Sequence, residues 1–442
     1  MASTTTERGN EGAAGDNPTK GRWGLVAAAL LLQFSIGAVY AYSIFSKALK
    51  LKTNGFHLTA TQAALPFEVT IGVIFIGTYI GGRIQDRKGP KFVALAGGVI
   101  YAIGTILASF SQNRSQLWLL VLGYGVIAGF GLGVAYIVPI AMLQKWFPDK
   151  RGLITGLAVG GFGFGAVLTS PIAQRLVDHY KEQPTKSFLP LGIAYLVMAV
   201  VGASFFRNPP QGYRVPGYEP PTSGRVVDSG KDYEQNEALK TPQWYLLTAI
   251  LTLNVTCGIA LISQAAASAT DIAGYSKTAA AGVVGLLAIF NGGGRIFWAA
   301  VSDKVGRMPA FMAMLGLQGV CFLFLPRAHS TALFFLLGAV IYLCYGGGFG
   351  TMPATAGDYF GVRHAGAIYG LMIVGWSLGG VLGPQIVAAL LGDKKPLHYG
   401  TAYTTIAIIA FVALALPLIT KMPRTRKSSD EGMIGAPAGA KA

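Results

Sequence analysis

Charge is what this 442-residue chain has least of: 12% of its residues are Asp, Glu, Lys or Arg, against 52% hydrophobic, where a soluble domain carries about 25% charged residues. With a mean hydropathy of +0.50, that scarcity excludes a water-soluble globular protein. Cysteine is nearly missing too. Cys257, Cys321 and Cys344 are odd in number, lack metal-ligand spacing and fall in apolar stretches, so they read as small apolar residues. No histidine (His57, His179, His329, His364, His398) falls clearly inside an apolar stretch, which leaves a buried histidine relay without support. No metal cluster, nucleophile-base set or phosphate loop is present, so neither an enzyme nor a cofactor is expected. The first 21 residues are polar and lack the short apolar core and cleavage site of a signal peptide.

What the chain has in quantity is long apolar runs. A helix needs roughly 20 residues to cross a hydrocarbon core of about 30 Å, and twelve stretches qualify: 22–43, 64–82, 92–111, 117–143, 153–175, 188–206, 244–268, 279–301, 308–326, 331–356, 365–391 and 399–420. The expected fold is all-α, with both termini on one side of a membrane. Basic residues choose the side: 23 Lys/Arg accompany the termini and even-numbered connections, and 11 the odd-numbered ones. Positive-inside bias therefore predicts cytoplasmic termini in a multi-pass protein of the inner or plasma membrane. It also accounts for the net charge of +16 without nucleic acid, since the cations sit at helix ends and not on one folded basic face.

Residues 207–243, rich in proline and glycine, read as a cytoplasmic linker between two six-helix bundles, 22–206 and 244–420, with tails at 1–21 and 421–442. The two halves repeat one another. At an offset of 214, Pro139, Gly152, Gly156, Gly161 and Gly165 meet Pro353, Gly366, Gly370, Gly375 and Gly379. At 221, Trp23, Gln33 and Gly37 meet Trp244, Asn254 and Gly258. Two similar bundles meeting at a central site can rock about it, which is the physical basis of alternating access. Small residues four apart, such as Gly156 and Gly160, let helices approach closely and read as packing seams.

Arg295 is the one cation set within an apolar stretch, at a cost of roughly 3 kcal/mol or more near mid-membrane. It is expected to face protein or water and to meet an anion. It lies eight residues, about 12 Å of helix, before the charged turn at Asp303, near the midplane. Asn291, one turn away on the same face, can add an amide bond to the two that a guanidinium offers a carboxylate. Tyr40, Tyr136 and Tyr345 are candidate walls of the site or packing tyrosines. Gln33 and Asn254 either bond the ligand or lock helices together. Glu68 is the only acidic residue inside the twelve stretches, and reads as an interfacial carboxylate or a proton site.

The connection after the second stretch carries Gly82, Asp86, Arg87 and Gly89, and Lys91 follows. This resembles the G-x-x-x-D-R-x-G-R/P-K/R signature of the major facilitator superfamily, and Asp303 to Arg307 is a degenerate copy. Both loops read as a conformational latch, with Asp86 accepting from helix N-terminal amides or pairing with Arg87 and neighbouring arginines. The string from Gly129 to Pro139, followed by Lys145-Trp146-Phe147-Pro148-Asp149-Lys150-Arg151-Gly152, resembles the oxalate/formate antiporter family and its bacterial monocarboxylate-carrier relatives. The resemblance implies twelve helices in two pseudo-symmetric bundles, carboxylate binding by Asn291 and Arg295, and Tyr40 lining the site. Where the oxalate carriers' pattern has a lysine in the eleventh span, this chain has Trp376, and where proton-linked animal carriers have an aspartate it has Asn291. One cation can neutralise one carboxylate; a dianion would leave an uncompensated buried charge. The expectation is thus a monomeric secondary transporter of a small monocarboxylate of the lactate, pyruvate or formate class, coupled to a proton or a counter-anion. The alternatives are an oxalate/formate antiporter, an exporter of other organic anions or drugs, and, in a different class, a membrane sensor without transport.

Overall fold

The structure is a computed structural model describing residues 21–51, 54–218, 232–391 and 398–423. Twelve helical segments are long and apolar enough to span a membrane: α1 Arg22–Leu49, α2 Leu65–Lys88, α3 Pro90–Ala108, α4 Arg114–Trp146, α5 Pro148–His179, α6 Pro184–Ser204, α7 Pro242–Ala273, α8 Gly282–Val305, α9 Arg307–Arg327, α10 Thr331–Phe360, α11 Ala365–Leu391 and α12 Tyr399–Ile419. No strand occurs among the described residues. This is the all-α architecture expected, since only internally hydrogen-bonded helices and closed barrels satisfy the backbone in lipid. Large apolar side chains face outward: Ile172, Val197, Leu336 and Val412 are all more than half exposed. The three cysteines are buried and unpaired.

Several helices outrun their apolar stretch. An apolar window marks the part that needs lipid, whereas a helix continues into water wherever its polar ends remain satisfied. Glu68 is consequently not the only acidic residue within these segments. Asp358 lies in the last turn of α10, buried at 2% exposure. The turns joining α2 to α3 and α8 to α9 are sharper than a loop. Gly89 (φ 83°) and Gly306 (φ 98°) each serve as the hinge residue between two helices, a backbone region that side chains rarely adopt.

In the first six spans α1 packs on α5 and α6, α2 on α4, and α3 on α4 and α6; in the last six, α7 packs on α10 and α11, α8 on α10, and α9 on α10 and α12. Between these groups α5 lies along α8 and α10, and α2 lies along α11. Glycine makes those approaches possible. A Cβ on Gly156 would stand 2.6 Å from the Arg295 carbonyl oxygen, and one on Gly370 2.5 Å from that of Thr78. The Thr78 hydroxyl donates to the Gly370 carbonyl at 2.7 Å across the same seam.

The described ends of the chain, Gly21 and Pro423, and the described parts of the 207–243 connection lie at one face, which we call the terminal face. There Trp146 Nε1 donates to the Arg207 carbonyl at 2.8 Å and Tyr213 Oη to that of Trp146 at 3.0 Å.

Candidate substrate site at the seam

α8 carries Asn291 and Arg295 one turn apart and faces both α5 and α10. Arg295 is 1% exposed. Its Nη1 donates to the Val159 carbonyl of α5 at 3.3 Å, so the guanidinium already bridges the two groups of helices. Phe349 of α10 and Phe162 of α5 present their faces to it at 5.0 and 5.8 Å, an attraction between cation and ring quadrupole that strengthens without water. The phenols of Tyr40, Tyr136 and Tyr345 surround it. Nε and Nη2 have no hydrogen-bond partner, and neither have the hydroxyls of Tyr40 and Tyr136 or Asn291 Oδ1. Among the described residues no carboxylate pairs with Arg295. A buried cation with two free donors and no counter-charge has the chemistry to hold an anion.

A cavity of 340 Å³ lies in front of this cluster, lined by both halves. Tyr40, Asn291, Tyr345 and Trp376 form its inner wall, and Phe67, Ile71, Ile259 and Ile262 are among its apolar sides. Glu68 and Ile71 lie early in α2, and Val381 late in α11, so the cavity opens toward the face opposite the termini. No lysine or arginine lines it. Arg295 sits one layer behind the wall: Trp376 meets Phe349 edge-on at 5.2 Å, and Phe349 stacks beneath the guanidinium.

The structure divides the other expected residues. Glu68 is exposed and lines the cavity mouth. Gln33 and Asn254 are both fully buried and are absent from the cavity wall. Asn254 Nδ2 donates to the Cys344 carbonyl at 3.3 Å, joining α7 to α10, while its Oδ1 and both amide atoms of Gln33 lack partners. Tyr136 is buried behind Phe162, edge-on at 5.1 Å.

At the terminal face the two charged turns do one job in mirrored form. Asp303, in the last turn of α8, accepts from the Gly152 and Leu153 amides at 3.0 and 2.9 Å, in the first turn of the long helix of α5. Asp86, in the last turn of α2, accepts from the Ala367 amide at the start of α11 at 3.3 Å. Each carboxylate thus caps a helix N-terminus of the opposite half, where exposed amides and the helix dipole favour negative charge. Arg87 takes no part. The nearest cation to Asp86 is Lys145, at 4.0 Å. Arg307 holds Asp303 at 2.7 Å and Asp358 at 2.7 Å, and Asp358 also binds Arg151 of α5 at 3.1 Å. Gly82 packs directly on the Gly366 backbone. Sequence reasoning missed Phe162 and Phe349, whose ring orientation no periodicity reveals. It missed Asp358 by ending the tenth span too soon.

The family model described as the Major Facilitator Superfamily matches residues 26–384 and, in a second match, 296–436. The chain is 28% identical to the oxalate:formate antiporter of Oxalobacter formigenes over 413 residues, 91% of this chain and 92% of the relative. It is also 28% identical to an uncharacterised transporter of this superfamily from Escherichia coli, over 83% and 87% of the two chains. An apicoplast pyruvate carrier of Toxoplasma gondii is 25% identical, over 88% and 79%. Among solved structures, the transporter FucP in the outward conformation superimposes with a TM-score of 0.68 over 92% of this chain and 100% of its own, at 15% identity. A family match across most of the chain, a fold shared over 92% of it and relatives that are transporters make this protein a membrane transporter of the Major Facilitator Superfamily.

Proposed function

We propose that the protein is a secondary transporter of a small monocarboxylate, working by alternating access between residues 22–206 and 244–420 about Arg295, with its termini in the cytoplasm of an inner or plasma membrane. The observation that carries this reading is the buried, unpaired guanidinium behind a cavity that holds no second cation. Arg295 neutralises one carboxylate through its free Nε and Nη2, the Asn291 amide adds a bond to it, and Tyr40, Tyr136 and Tyr345 orient it. Trp376 stands where the oxalate carriers' pattern places a lysine, and offers an apolar wall to a methyl or short chain.

The described state is then outward-facing. The cavity opens away from the termini, and Asp86 and Asp303 close the cytoplasmic side by capping α11 and α5. Binding of the anion draws Arg295 from the Val159 carbonyl, releasing one of the bonds that spans the seam. Glu68, the acidic side chain in the cavity wall, is the candidate proton site. The relatives support the anion class: one is named for oxalate and formate, another for pyruvate.

Counterflow of labelled lactate, pyruvate, formate and oxalate in proteoliposomes tests the proposal. Trans-stimulated uptake of a monocarboxylate supports it. A preference for oxalate would sink the single-charge argument, and absence of counterflow for every anion would sink the carrier reading of this site.

A further inference from the structure

A second cavity shares no lining residue with the one in front of Arg295. A groove of 760 Å³ runs along the outside of the first half, between α1 and α6, and is headed at the terminal face by Lys91 and Arg207. Its floor is made of small residues, including Gly24, Ala28 and Gly202, and its walls include Leu31, Val201 and Phe205. A Cβ on Gly24 would meet nothing within 4 Å. Along α1 the lining extends from Gly21 to Leu31. Ten residues of helix rise about 15 Å, half of a hydrocarbon core of about 30 Å, so the groove is one leaflet deep.

The polar head of the groove is cationic. The buried and half-buried cations of this face have acidic partners: Arg22 binds Asp149, Arg151 binds Asp358, and Arg307 binds Asp303 and Asp358. Lys91 and Arg207 are exposed and have no carboxylate partner among the described residues, the Arg207 guanidinium lying over the Trp146 ring at 6.0 Å. Phe205, 62% exposed, sits beside them at the level where aromatic side chains favour the membrane interface.

We propose that this groove binds one anionic phospholipid of the terminal-face leaflet, with its phosphate between Lys91 and Arg207 and an acyl chain lying over Gly24 and Ala28. An apolar channel one leaflet deep, ending in two uncompensated cations, matches that ligand in length and in charge. A soluble anion would leave the apolar channel unused. A zwitterionic lipid would bring its own cation to a site that already has two. This lipid site is independent of the Arg295 pocket.

Native mass spectrometry of the full chain, released from bilayers of phosphatidylglycerol, phosphatidylethanolamine and phosphatidylcholine with identical acyl chains, tests the assignment. One phosphatidylglycerol is expected to remain bound preferentially. Lys91→Gln with Arg207→Gln should reduce its retention about twenty-fivefold, at roughly fivefold for each cation, whereas Lys304→Gln, on the same face but outside the groove, should leave it unchanged. Gly24→Leu fills open space in the groove without altering charge, and should also expel the lipid from protein that elutes as wild type. Equal retention of phosphatidylcholine, indifference to the double substitution, or displacement by glycerol phosphate as effective as by the lipid would overturn the proposal.

Discussion

Asp303 accepts a hydrogen bond from the Gly152 amide at 3.0 Å, so a carboxylate of the second half of the chain caps a helix of the first. Asp86 makes the reciprocal contact with the Ala367 amide. The two caps are related by the internal repeat, since Leu153 and Ala367 are 214 residues apart, and in the proposed cycle both break as the terminal face opens. Glycine is required beneath them, because any side chain at Gly152 would collide with the Asp303 carboxylate.

Asp303→Asn and Asp86→Asn remove the charge that favours each capped N-terminus while preserving shape. Each is expected to weaken closure by about 1–2 kcal/mol, a five- to thirtyfold shift of the population toward opening at the terminal face. Spin-label distances between Lys88 and Lys304, both exposed at that face, should broaden to longer values. An unchanged distribution in the double variant would show that the caps do not hold the closed state.

Arg295→Lys keeps the charge and loses the planar fork. Monocarboxylate uptake should fall at least about tenfold, and Arg295→Gln should abolish it, while both proteins elute as the wild type does. The check is counterflow at equal protein density; full activity in the lysine variant dismisses bidentate recognition.

Trp376→Lys places a second cation in the cavity wall. Competition by oxalate against labelled lactate should strengthen by about tenfold or more, because a dianion then finds both charges compensated. The ratio of the two inhibition constants is the readout, so a loss of expression does not mask the outcome. A ratio that stays constant removes Trp376 from the basis of charge selectivity.

Glu68→Gln leaves the cavity its shape and takes away its carboxylate. Uptake driven by an imposed pH gradient is expected to disappear, while anion exchange at equal pH persists. Gradient-driven uptake at the wild-type rate would exclude Glu68 as the proton site.

Gly156→Leu forces a side chain into a position where even a Cβ stands 2.6 Å from the Arg295 carbonyl oxygen. Overpacking of this kind costs about 1–3 kcal/mol. Thermal unfolding is expected several degrees lower, with transport lost. Retained transport would mean that α5 and α8 do not close to this distance during the cycle.

The membrane-spanning class was legible because hydrocarbon imposes its requirement on composition: twelve apolar runs, with Arg295 isolated in one of them, are visible without any contact being known. The repeat was equally legible, because matching residues such as Pro139 and Pro353, or Gly156 and Gly370, recur at one fixed offset in the sequence. Asn291 and Arg295 could be paired from helical spacing alone. Their surroundings could not. That Phe162 and Phe349 flank the guanidinium, that Asn254 bonds the Cys344 carbonyl while Gln33 is left unpaired, and that Asp86 meets Ala367 in preference to Arg87 all depend on which helices meet in space. One-dimensional periodicity tells which face of a helix avoids lipid. Only the packing of α5 on α8, and of α2 on α11, decides what that face meets, because those neighbours are more than a hundred residues apart in the chain.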